Sequence, residues 1–223
     1  MARAKAGPWH EPRARGVSAT LTGPTRARLI LASGSATRAT LLKNAGLAFE
    51  QIAAAVDENE LKRSMRVEGA DAAAAAMALA ELKARRVAAR APGALVIGAD
   101  QMLVAGDAWF DKPADRAGAK AQLLALAGKS HRLISAACVV RDGERLWGKH
   151  EHATLLMRPF DEAFVERYLD AAGEAAARSV GAYQLEGLGA QLFQRVDGDY
   201  FVVLGLPLLA LLDFLRGRGI VPA

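Results

Sequence analysis

Carboxylates and cations, not nucleophiles, are the groups whose types and spacing could do chemistry in this sequence. Asp100 ends an apolar run at Leu95-Val96-Ile97, and Lys112 lies past a turn at Gly106-Asp107 in the stretch from Ala94 to Pro113. A carboxylate and a lysine brought back together by a hairpin suit an anionic, metal-bound substrate. Asp57-Glu58 end a second run, Phe49 to Val56, and read either as metal-facing acids or as the acidic start of a helix. Arg38 follows the turn Ser33-Gly34-Ser35, where the N–H groups of a helix start would gather an anion beneath the guanidinium. Each has a plain alternative: an Asp100 that caps a turn, a solvated Lys112, an ordinary strand–helix unit at Arg38. The sequence contains no G-x-S-x-G and no H-E-x-x-H, and its one cysteine, Cys138, falls in the apolar run Ala136 to Val140, so covalent catalysis has no clear candidate.

The elements that must position these groups are readable in order. Arg28 to Ser33 reads as a strand, and Ser35 as the N-cap of a helix with Arg38, Leu41, Leu42 and Ala45 on one face, ending at Gly46. Phe49 to Val56 reads as a second strand, and the alanine-rich residues 69–91 as a long helix carrying Lys83. The run at Leu95 has the bounded apolar character of a strand buried on both faces, which places Asp100 at its end, where ligands of open α/β sheets bind. Asp115 to Ala127 is a helix closed by Gly128; His131 to Arg141 and Arg145 to Met157 are strands around the hairpin signal Asp142-Gly143. Asp161 to Ala172 is a capped helix, and Pro207 opens a final helix through Leu215. Gln184 and Glu186, alternating with Tyr183 and Leu185, put two polar groups on one face that could recognise a base edge. Gly128-Lys129-Ser130 is not a Walker A motif, because Leu123 stands where its first glycine belongs and a helix precedes it. His150 and His152 share a face, and the charged Lys149 and Glu151 beside them favour a solvated edge over a metal site.

The formal charge of +5 at pH 7 invites a nucleic-acid reading until it is counted by position. Residues 1–28 hold six basic groups and one acid, Glu11, which is the whole excess; the remainder has 23 of each sign. The folded part is therefore neutral, and nucleic-acid binding by it is not supported. Residues 1–27 read as a disordered basic tail, and residues 28–223 as the folded domain. The tail's arginines and few acids resemble a transit peptide, and a start assigned too far upstream would leave the same pattern. The stretch Phe201 to Leu215 is too short for a membrane span and contains Gly205, Pro207 and Asp213. A lone cysteine fits a reducing cytoplasm.

Taken together, the motifs resemble the Maf family of nucleoside triphosphate pyrophosphatases over roughly residues 28–220. "LILASGSATRATLLKNAG" is similar to the family's "LASxSxxRxxLL" opening; "VDE" at 56–58, "LAELKA" at 79–84, "VIGADQ" at 96–101, "DKP" at 111–113, "GAYQLEGLGAQLF" and "GLPL" follow in the family's order. The resemblance implies an α/β fold, a mixed twisted sheet with flanking helices and two lobes around a central cleft. It implies hydrolysis of a nucleoside triphosphate between the α and β phosphates, with Mg²⁺ or Mn²⁺, by a cytoplasmic house-cleaning enzyme. No membrane or nucleic-acid partner follows from it, and the oligomeric state stays open, a homodimer included. Carried over by position, Asp100 would be the general base and, with Glu58, hold the metal. Arg38, Lys83 and Lys112 would hold phosphates, and Ser33 and Ser35 would line the phosphate site at the helix start.

The base readers implied by the resemblance are Thr37, Gln101 and Glu186. Asp-Gln at 100–101 and "EGLG" resemble the branch acting on 7-methyl-GTP, whereas the dTTP/UTP branch typically has Asp-Thr and a glutamine. A carboxylate at 186 can accept from guanine N1–H and N2 and offset the methylated ring's charge. Ala36 replaces the family's usual proline, Thr37 its usual larger residue, and "DKP" its commoner "GKP". Two alternatives remain: the same reaction on dTTP and UTP, and a nucleotide-binding inhibitor of septum formation that performs no catalysis.

Overall fold

The apolar run that begins at Leu95 does not stop at Asp100 but continues to Ala105, and this strand is the axis of the sheet. The computed structural model describes residue 21 and residues 23–222. Seven strands form one mixed sheet in the order β2-β1-β3-β5-β6-β7, with β4 on β3. The strands are β1 (Leu29–Ala32), β2 (Glu50–Gln51), β3 (Leu95–Ala105), β4 (Ala108–Phe110), β5 (Ser130–Arg141), β6 (Glu144–Met157) and β7 (Phe193–Asp197). β1 runs parallel to β2 and β3, and the remaining pairs are antiparallel. The helices are α1 (Ala36–Asn44), α2 (Glu58–Val67), α3 (Ala72–Ala88), α4 (Arg116–Leu126), α5 (Glu162–Ala172), α6 (Tyr200–Val203) and α7 (Leu208–Gly217). The expected mixed sheet with flanking helices is the fold observed.

β3 shares one edge between two neighbours. β1 pairs with it as far as Gly98, and β4 takes over only at Leu103. Residues 99–102 therefore face a gap in the sheet on that side, while β5 pairs along the whole other side. Asp100 consequently lies in mid-strand at this gap, not at a strand end as the sequence suggests. The position keeps the same relation to the parallel strands, since it is just beyond the end of β1.

Three apolar clusters hold the layers. α3 packs on one face of the sheet against Ile30, Val96, Met102 and Ile134; α1 and α7 pack on the other against Leu31, Ile97 and Val139. A third cluster joins α4, α5 and the antiparallel strands through Leu123, Leu133, Leu155 and Leu169. The alanine-rich face of α3 lets it approach β3 closely, and the strand answers with a glycine. A Cβ at Gly98 would stand 2.0 Å from the Ala80 carbonyl oxygen. That contact fixes the height of Lys83 over the strand.

Two sequence expectations change. The strand expected over Phe49 to Val56 is only Glu50–Gln51, both exposed at the sheet edge. The chain then forms α2, the helix start that is one of the two readings of Asp57-Glu58; Asp57 is its N-cap, accepting from Glu60 N–H, and Glu58 opens its first turn. Residues 183–187 are not a strand either, since Leu185 to Gly187 form a turn between short 3₁₀ segments. Most of the basic tail falls on residues 1–20, outside the described residues. Its end is pinned, with Gly23 and Thr25 N–H bonded to the carbonyls of Ile220 and Gly219, and Arg28 in a two-pronged pair with Glu50. Among the described residues no helix is long and apolar enough to cross a membrane.

One buried group makes the fold sensitive to acid. His131 on β5 is buried, with Nε2 2.7 Å from the Tyr183 hydroxyl and Nδ1 without a partner. Burial pushes its pKa down from 6.5 to about 4. Between those values the unfolded chain binds a proton that the folded chain does not, so stability is full above pH 6.5 and is lost as the pH falls towards 4. The loss is on the order of 3 kcal/mol. Urea titrations should show this acid decline in the wild type and a flatter one in His131→Gln.

Candidate active site

The turn between β1 and α1 builds the first half of the site. Ser35 caps α1 by accepting from Arg38 N–H, and the Ser33 hydroxyl accepts from Ser35 N–H at 3.2 Å. Gln51 donates to the Ser33 carbonyl at 2.9 Å and locks the turn to β2. Arg38 projects from the first turn of α1 into a buried cradle. Nη1 donates to Ser33 Oγ at 3.2 Å and to the Ala99 carbonyl at 3.0 Å, and Nε donates to the Gly205 carbonyl at 2.8 Å. The Ala99 carbonyl faces the gap between β1 and β4, so Arg38 supplies the hydrogen bond that a neighbouring strand would have made. Burial lowers the Arg38 pKa from its ordinary value, and the negative charges of Asp100 and Glu58 work against that shift. Gly205 has φ +98, and a Cβ there would press within 3.2 Å of Arg38 Nε, so this position requires glycine.

The second half comes from β3, α3 and α2. Lys83 Nζ lies 2.6 Å from Asp100 Oδ1 and 2.7 Å from Glu58 Oε1, with the lysine and Asp100 both buried and Glu58 at the opening. Burial raises the Glu58 pKa, but Lys83, Lys62 and Lys112 together outweigh it and hold the group below its ordinary value. Glu58 is therefore ionised at neutral pH. The other Asp100 oxygen, Oδ2, is buried and has no hydrogen-bond partner in the chain. A buried carboxylate oxygen left this way is costly, and that is the state in which it would meet a water or a cation supplied with a ligand.

Of the residues singled out from sequence, Ser33, Ser35, Arg38, Glu58, Lys83 and Asp100 converge at this gap. Lys112 is exposed on the loop after β4, close enough to act on Glu58. Thr37 and Glu186 meet at the rim, where Thr37 Oγ1 donates to Glu186 Oε1 at 3.3 Å. Gln101 is the exception. Successive strand residues point to opposite faces, so it turns away from Asp100. Its amide nitrogen lies 3.0 Å from Ser135 Oγ, 3.1 Å from the Val202 carbonyl and 3.0 Å from the Val203 carbonyl. Ser135 also donates to the Val202 carbonyl, at 2.7 Å. Gln101 and Ser135 thus fasten the end of α6, two residues before the Gly205 carbonyl that receives Arg38. Sequence reasoning missed Ser135; its signal was one hydroxyl in the otherwise apolar run Leu133 to Val140.

The two carboxylates could hold a divalent cation, whereas the histidines could not. His150 and His152 are exposed on a stretch of β6 with a partner on one side only, and no group of three metal-ligating side chains occurs among the described residues. Gly128-Lys129-Ser130 joins a helix to a strand, the reverse of a Walker A loop.

Several relatives match this chain over nearly their whole length. A protein of Paramagnetospirillum magneticum named nucleoside triphosphate pyrophosphatase is 63% identical over 190 residues, 85% of this chain and 98% of its own. One of the same name from Granulibacter bethesdensis is 52% identical, covering 85% of this chain and 96% of its own. A 7-methyl-GTP pyrophosphatase of Rhizobium johnstonii is 50% identical over 194 residues, 87% of this chain and 98% of its own. The family model described as Maf-like protein matches residues 28–218, and the chain belongs to that family.

Proposed function

We propose that the chain hydrolyses nucleoside triphosphates between the α and β phosphates, releasing a nucleoside monophosphate and pyrophosphate, and that 7-methyl-GTP is its preferred substrate. The observation that carries this reading is the unpartnered Asp100 Oδ2, buried beside the Lys83 and Arg38 cations. A triphosphate brings about four negative charges, so a site that acts on it needs cations for the phosphates and a base for the water. Pyrophosphatase names among the relatives support the reaction, and the 7-methyl-GTP name on some of them supports the substrate.

The residues fit a Mg²⁺ or Mn²⁺ ion. Glu58 and Asp100 are two carboxylates at one opening, and ions of this kind complete their shells with substrate phosphates and water. Such an ion, when bound, neutralises charge on the phosphate oxygens. The protein's own groups do the rest. The start of α1 and Arg38 hold phosphate oxygens, Lys112 takes the outer phosphates, and Lys83 holds Asp100 in place. Asp100 Oδ2 accepts a proton from water as the water oxygen attacks the α-phosphorus. The bond from that phosphorus to the bridging oxygen breaks, pyrophosphate leaves with the electron pair, and the proton passes from Asp100 to solvent. Glu186, oriented by Thr37, has acceptor capacity left for guanine N1–H and N2. The single buried Cys138, whose thiol burial pushes up to about 12, is consistent with a reducing cytoplasm.

Pyrophosphate release from 7-methyl-GTP, GTP, dTTP, UTP and ITP with Mg²⁺ tests the substrate. Preference for 7-methyl-GTP is expected; preference for dTTP or UTP would keep the reaction and overturn the base assignment. Asp100→Asn should lose about 10²–10⁴-fold in kcat while still binding nucleotide. Full activity in that variant would remove Asp100 from the role of base. Gln101→Leu should lower kcat roughly tenfold for every nucleotide, because it loosens the support of Arg38. A change in base preference with kcat maintained would instead make Gln101 a base reader.

A further inference from the structure

A groove lies beside the site, along the helix that Glu58 begins. It lies between α2 and the β3–β4 hairpin, encloses about 390 Å³, and is lined by Asn59, Lys62, Arg63, Arg66, Trp109 and Asp111. The four α2 residues are spaced i, i+3, i+4 and i+7, so they form one stripe along the helix. That helix begins at Glu58, and Lys62 stands one turn further on. Lys62 is also among the cations that act on Glu58. Lys62 therefore joins the groove to Glu58, and the groove adjoins the carboxylates.

Its cations are set in place. Lys62 is mostly buried and pairs with Asp111 at 2.7 Å. Arg66 donates to the Asp107 carbonyl at 2.9 Å and lies over the Trp109 ring, 5.4 Å from its centre. Neither Arg63 nor Arg66 has a carboxylate within 4 Å among the described residues. One acid thus faces three cations, and an aromatic ring stands at the far end. Lys62 and Lys112 both act on Glu58, so a triphosphate at the carboxylates has two cations at the groove's near end. The helix then advances about 6 Å from Glu58 to Lys62 and about 12 Å to Arg66, room for a second nucleoside beyond the phosphates. Guanidinium and indole planes are the surfaces on which a base stacks.

We propose that this groove is a subsite for a second nucleoside, and that the enzyme also cleaves 5′,5′-linked dinucleoside triphosphates, an assignment that rests on the pyrophosphatase reading above. The chemistry is the same. Water attacks the α-phosphorus of the nucleotide held at Glu186 and gives its proton to Asp100. The bond to the bridging oxygen breaks, and a nucleoside diphosphate leaves in place of pyrophosphate.

The test compares 7-methyl-GTP with 5′,5′-linked 7-methylguanosine–guanosine triphosphate, following GDP release by chromatography, in the full chain with Mg²⁺. Release of GDP and 7-methyl-GMP is expected. Arg63→Glu and Trp109→Leu, each checked for an unchanged melting temperature, should raise KM for the dinucleotide about tenfold and leave 7-methyl-GTP within about twofold. Cleavage of 7-methyl-GTP without cleavage of the dinucleotide would overturn the subsite and leave the pyrophosphatase standing. Failure to cleave either would overturn both. An equal rise in KM for both substrates would assign the groove to the triphosphate itself and overturn the second nucleoside.

Discussion

The Lys83 ammonium lies between two carboxylates, 2.6 Å from Asp100 and 2.7 Å from Glu58, and the rest of the site depends on that contact. A cation and a carboxylate taken out of water together are tolerated only with close pairing, and removal of either leaves a buried charge. Each partner comes from a different element: Lys83 from α3, Asp100 from β3 and Glu58 from the start of α2. Their meeting needs α3 seated directly on β3, which Gly98 and the alanine face of the helix permit. It also needs α2 to begin at Asp57, which the capping bond to Glu60 N–H ensures. The geometry of the chemistry is thus set by backbone packing several residues away from it.

The gap in the sheet is the second constraint. Because β1 ends opposite Gly98 and β4 reaches back only to Leu103, the intervening edge of β3 is open to something other than a strand. Arg38 fills part of it through the Ala99 carbonyl, and the remainder is where phosphates would enter. The parallel half brings a helix start to this point, as open α/β sheets do at their ligand sites. The antiparallel half brings Gln101, Ser135 and α6, which hold the Gly205 carbonyl against the same arginine. Both halves therefore converge on Arg38 on the face of the sheet that carries α1.

Much of this was legible in the residues. The Ser35 cap, the Asp142-Gly143 hairpin, the long alanine helix and the capped helix after Asp161 each carry a local signal, and each formed within a few residues of where it was expected. The start of α2 was readable at Asp57-Glu58 but its extent was not, because none of its residues is buried and its apolar residues are few, Leu61 and Met65 one turn apart and Val67. Its signal was the capping pattern Asp57-x-x-Glu60, visible without hydrophobicity. The side to which Gln101 points was hidden for a different reason: it depends on β3 running unbroken past Asp100, a matter of tertiary pairing with β5. Likewise the pairing of Thr37 with Glu186 joins residues 149 positions apart, and no local pattern encodes it.

The most direct test of this account is a titration of the Glu58 carboxyl by ¹³C NMR in the wild type and in Lys83→Met. Lys83 is the foremost of the cations that hold this partly buried group below its ordinary value. The account predicts a Glu58 titration below the ordinary glutamate range in the wild type and a clear move to higher pH in the variant. An identical titration in both proteins would contradict it, since Lys83 would then not be the group that holds the carboxylates together.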